Sequence, residues 1–100
     1  MALHHIVTWK LSGETLADRD AQAEKMTELL HGLVGKVPSL RAIALYRNSL
    51  FEGENWDLTL VAQFDDAEGL AAYADHPDHQ AVLAATKGFT TQRVAVDAEV

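Results

Sequence analysis

Residues 73–82 read Tyr-Ala-Asp-His-Pro-Asp-His-Gln-Ala-Val. Proline inside a helix removes an i→i−4 hydrogen bond and clashes with the preceding turn, so Pro77 cannot lie mid-helix. At the first helical position its missing N–H costs nothing, and this spacing predicts one helix ending near Ala74 and another starting at Pro77. Tyr73 and His76 lie three apart and share a face if the first helix lasts that long. His79 enters from the second helix at another angle. The joint therefore gathers three groups that donate, accept or carry protons. Two readings of that corner stand. The groups can simply fasten a fold corner, as buried polar groups must be satisfied, or they can work on a ligand.

Working outward from the joint, the chain alternates in type. Leu3–Lys10 has period two, with Leu3, His5, Val7 and Trp9 on one face and His4, Ile6, Thr8 and Lys10 on the other, which predicts a strand. Thr15 followed by Asp18 resembles a capping box with the shorter acid. The helix it starts carries Leu16, Ala23, Met26, Leu29, Leu30, Leu33 and Val34 as an apolar stripe, with His31 outside it, and Gly35 and Pro38 close it. Leu40–Asn48 predicts a second strand, with Leu40, Ala42, Ala44 and Tyr46 expected on one face and Ile43 and Leu45 on the other. Trp56–Phe64 alternates cleanly and predicts a third. Asp65 and Asp66 sit where a helix N-terminus favours acids. Gly88 stops the second helical piece, and Phe89–Val96 predicts a last strand. There Arg93 is either a buried cation in need of a partner or, near a strand end, solvated.

The order β-α-β-β-α-β over 1–100 predicts a single α+β domain. It is ferredoxin-like, a four-stranded antiparallel sheet with both helices on one face. The other face is expected to carry Ile6, Ile43, Leu45, Val61, Val94 and Val96. Six such side chains left in water make a patch that calls for a cover, and a second copy of the chain packed sheet to sheet supplies one.

Composition narrows the function classes. Apolar residues at 48% against 23% charged predict a packed core. A net charge of −7 argues against nucleic acid or an anionic membrane as partner. Without cysteine there is no thiolate chemistry, disulfide or cysteine-ligated metal. The N-terminal Met-Ala-Leu-His-His-Ile-Val-Thr-Trp-Lys lacks a charged leader before a long apolar run, so no signal peptide and a cytoplasmic location are expected. His76 and His79 with Asp75 or Asp78 form a metal alternative, but Pro77 spoils the shared helix face, and no metal or cofactor is expected.

These residues resemble the stress-responsive dimeric α/β-barrel (Dabb) domain over nearly the whole chain. The resemblance rests on His5-Ile6-Val7 with Trp9-Lys10, Val37-Pro38, Asn48-Ser49, the Trp56–Phe64 strand, Tyr73, His76-Pro77, His79-Gln80-Ala81-Val82 and Val96-Asp97. The Tyr-x-x-His-Pro-x-His run is its specific part. Ser39, Tyr46 and Asp78 depart from it, since the family often has glycine at the first two positions and alanine at the third. The resemblance implies a homodimer whose sheets close into a barrel with helices outside. One plant branch, similar to olivetolic acid cyclase, closes a linear polyketide by aldol condensation with a tyrosine and a histidine matching Tyr73 and His79, and a histidine matching His5 lines that pocket. Carried over, these are candidate catalytic residues: His79 to take a proton beside a carbonyl, Tyr73 to hold the oxygen. The cavity between sheet and helices is expected to be lined further by Val7, Trp9, Met26, Leu58, Leu60 and Val82. Two readings remain open, a small-organic-ligand-binding dimer and a cofactor-free cyclase-like enzyme.

Overall fold

The computed structural model describes residues 2–100. The elements run β1 (Leu3–Leu11), α1 (Leu16–His31), β2 (Ala42–Arg47), β3 (Leu58–Phe64), α2 (Ala67–Asp75), α3 (Pro77–Ala85) and β4 (Thr90–Glu99). All strand pairs are antiparallel, in the order β2-β3-β1-β4, so β1 sits inside the sheet and β4 at an edge. This is the ferredoxin-like β-α-β-β-α-β arrangement, with the helices on one sheet face and the second helical region divided at Pro77.

Local chemistry sets the helix ends. The Thr15 side chain accepts from the Asp18 N–H while the Asp18 carboxylate accepts from the Thr15 N–H, a complete capping box. Asp66 caps α2 by accepting from the Gly69 N–H. His76 ends α2 and caps α3, its Nδ1 accepting from the Asp78 N–H at 3.0 Å, with Pro77 in the first turn. α1 is shorter than its apolar stripe. It ends at His31, and the chain continues as turns through Gly35, whose φ of +87° needs glycine. Val34 and Leu16, the ends of the stripe, are exposed.

The core lies between the sheet and the helices. Leu3, Val7 and Leu11 from β1 and Leu58, Leu60, Ala62 and Phe64 from β3 meet Ala23, Met26 and Leu30 from α1. Burying a side chain of this size contributes roughly 1.5–3 kcal/mol, so these rows fix the layer order. β2 corrects one expectation. Ile43 pairs with Ala62 and Leu45 with Leu60, so both lie on the helix-covered face and pack against the core. The outer face instead takes Ala42, Ala44 and Tyr46. Leu40 is the cause: it is buried, but it precedes the pleated strand, so its face does not propagate into β2. The outer sheet face thus carries Ile6, Val61, Val94 and Val96 with Tyr46, and a Thr8–Thr59 hydroxyl pair at 2.8 Å between β1 and β3.

Candidate functional site

Between β1, α1 and the α2–α3 joint lies a cavity of about 580 Å³. His5, Val7 and Trp9 reach it from alternate positions of β1, as period two requires. Met26 and Leu30 come from α1, Leu60 from β3, Leu70 and Tyr73 from α2, and His79, Val82 and Leu83 from α3. Leu58 does not line it, although it pairs with Trp9; that side chain is buried in the core. Thr86, Lys87, Gly88, Thr90 and Arg93 complete the wall around the turn into β4. Of the candidate residues, His5, Val7, Trp9, Met26, Leu60, Tyr73, His79 and Val82 therefore meet in one space.

Tyr73 is the most enclosed polar group there, 3% exposed. Its ring lies against Phe64, centroids 5.1 Å apart, and against His79, 4.3 Å apart and tilted by 43°. Burial pushes its hydroxyl up to about 12, so it stays a proton donor at neutral pH. Among the described residues no protein group hydrogen-bonds to that hydroxyl, although Tyr73 borders the cavity.

His79 Nδ1 lies 3.2 Å from the Ala74 carbonyl oxygen. A carbonyl only accepts, so Nδ1 carries the proton and Nε2 keeps its lone pair. Burial lowers the His79 pKa most; the Ala74 bond works against that, and the positive fields of His5, Arg93 and His76 work with it. A neutral imidazole with a bare Nε2 can accept a proton. His5 Nδ1 lies 2.5 Å from an Asp97 carboxylate oxygen, which fixes the orientation of the ring. Its register opposite Asp97 follows from the β1–β4 pairing.

His76 is placed differently. Its Nδ1 is committed to the α3 cap, and it does not border the cavity. Among the described residues no group of three or more His, Asp or Glu side chains is arranged to hold a metal ion. Leu30, Leu70, Lys87, Thr90 and Arg93 are among the lining residues that sequence reasoning missed. The α1 stripe signalled Leu30. Leu70 shares the α2 face that carries Tyr73; nothing local signalled Lys87, Thr90 and Arg93, whose approach depends on how the turn after α3 meets β4.

The model of the Stress responsive A/B Barrel Domain matches residues 3–100. The chain belongs to that family. A dimeric ferredoxin-like protein of unknown function from Thermobifida fusca is similar at 31% identity, covering all of this chain and 92% of that one, with a TM-score of 0.82. A dimeric protein of unknown function with a ferredoxin-like fold from Bacteroides fragilis is 28% identical, covering 99% and 96%, with a TM-score of 0.84. A hydroxynitrile lyase from Passiflora edulis shares the fold at 10% identity, covering 97% and 91%, with a TM-score of 0.78. Among curated proteins none matches the chain. No helix among the described residues is long and apolar enough to cross a membrane.

Proposed function

We propose that this A/B barrel domain chain is a homodimer that binds a small, mainly apolar organic carbonyl compound in the cavity between its sheet and helices. One observation carries the reading. A cavity of about 580 Å³ holds a free phenolic donor and an imidazole with an open acceptor side by side, inside apolar walls. A carbonyl oxygen is the natural acceptor for Tyr73, and alkyl or aryl groups match Val7, Leu30, Leu60 and Val82. The similar proteins described as dimeric support the assembly.

The tautomer of His79 favours a second reading, cofactor-free proton abstraction of the kind an aldol cyclisation needs. Nε2 takes a proton from the carbon beside the carbonyl, while Tyr73 stabilises the enolate oxygen by hydrogen bonding. His5, held by Asp97, is the third polar group available to the same ligand. Hydroxynitrile lyase activity on this fold in Passiflora concerns a protein 10% identical and lends support to the fold as a carrier of chemistry only.

Methyl heptyl ketone separates the readings. Binding is read by the fluorescence of Trp9, which lines the cavity. Chemistry is read as exchange of the protons beside the carbonyl for deuterium in heavy water. Binding with exchange that is lost in His79→Gln supports the enzyme; binding without exchange leaves a binding protein. Absence of binding overturns both.

A further inference from the structure

The protein is acidic, with 15 Asp and Glu against 8 Lys and Arg. The cavity wall inverts that balance. No Asp or Glu borders it, whereas Lys87 and Arg93 both do. Arg19, Arg41 and Arg47 are each ion-paired to carboxylates elsewhere, and among the described residues neither Lys87 nor Arg93 is. Lys87 follows the C-cap Thr86 of α3, a position where the helix dipole favours a cation. Arg93 has no such local reason. It stands on the edge strand opposite Trp9, on the same sheet face, and is exposed. Thr90 adds a hydroxyl between them in sequence and also borders the cavity.

We propose that Lys87 and Arg93 form a carboxylate subsite at the cavity mouth, so that the ligand is an amphipathic organic acid. This rests on the binding reading above and names the class of ligand. The apolar body lies against Val7, Trp9, Leu30 and Val82, and the carboxylate remains at the half-wet rim, where a guanidinium can meet it through two parallel N–H···O bonds. Keeping the anion at the rim avoids the desolvation penalty of a buried carboxylate. It also leaves Tyr73 and His79 to the interior of the ligand. The cation at Arg93 that disfavours protonation of His79 is partly offset once an anion binds.

The experiment is calorimetric titration of the full chain with octanoate, methyl octanoate and octylammonium. It uses the unmodified protein, Lys87→Gln, Arg93→Gln and their double variant, with Lys25→Gln, at an exposed position that does not border the cavity, as a charge control. Octanoate is expected to bind more tightly than its methyl ester by roughly tenfold, the size of a charged hydrogen bond at a partly screened rim. Octylammonium should bind more weakly than the ester. The double variant should lose the preference for the acid while keeping its affinity for the ester, and added salt should weaken octanoate alone. Lys25→Gln should change nothing. Equal binding of acid and ester by the unmodified protein overturns the subsite and leaves the cavity reading intact. So does a preference that survives both substitutions. Failure of all three probes to bind overturns the cavity reading and the subsite with it.

Discussion

Burial keeps both rings of the Tyr73–His79 pair neutral, though it moves their pKa values in opposite directions. For His79 the folded value lies below the ordinary 6.5, so the unfolded chain binds the proton more readily. Its contribution to stability is complete above pH 6.5 and is lost as pH falls through the lower folded value. Melting temperature should therefore drop on acidification from pH 6.5, and His79→Gln should flatten that part of the profile. For Tyr73 the sign reverses: its contribution is complete below pH 10 and is lost as pH rises toward about 12. Tyr73→Phe removes a hydroxyl that has no protein partner, so it should cost well under about 1 kcal/mol of stability. Ligand affinity should nonetheless fall about tenfold if a carbonyl accepts from that hydroxyl. A large drop in melting temperature with affinity unchanged would mean that the hydroxyl fastens the fold. Spacing made the positions of Tyr73 and His79 at the joint legible, whereas only the family resemblance singled out His5, and all three border the cavity. Arg93 was legible only as a choice between buried and solvated. The register opposite Trp9 decides that it faces the cavity, and the edge position of β4 decides that it stays wet.

The elements were more legible than their ends. Helix starts were written in local chemistry, since Thr15 with Asp18 and Asp66 bond within their own turns. β2 was misread for a complementary reason: the buried Leu40 carried more apolar weight than Ala42 and Ala44, and only pairing with β3 reveals that it stands outside the pleat. The joint between α2 and α3 is the element-level feature with the sharpest consequence. His76 caps α3 with Nδ1, a task that asparagine performs at least as well. His76→Asn should leave thermal stability and ligand binding as they are, whereas His76→Ala should lower stability by about 1 kcal/mol. A loss of ligand binding in His76→Asn, with melting unchanged, would move His76 into the site.

At the scale of the whole molecule, the outer sheet face asks for a cover. Val94 and Val96 are 50% and 57% exposed and Tyr46 60%, on a face that no helix reaches. Sequence alternation made this face legible in outline, but two of its six expected members, Ile43 and Leu45, belong to the core. Val96→Asp places a charge on that face while leaving the described core untouched. It should shift the mass measured by light scattering from two chains to one, and a mass of one chain for the unmodified protein would contradict the dimer. Chelation should leave mass and melting temperature unchanged, and a metal-restored loss of several degrees would show that a structural ion had been removed. The central claim is that the cavity holds an organic carbonyl on the Tyr73 hydroxyl. Methyl heptyl ketone labelled at its carbonyl carbon tests it most directly by nuclear magnetic resonance. A downfield shift of that carbon on binding, abolished in Tyr73→Phe, is the predicted result. An unshifted carbonyl in the bound ketone, or the same shift in the Phe variant, would contradict the account.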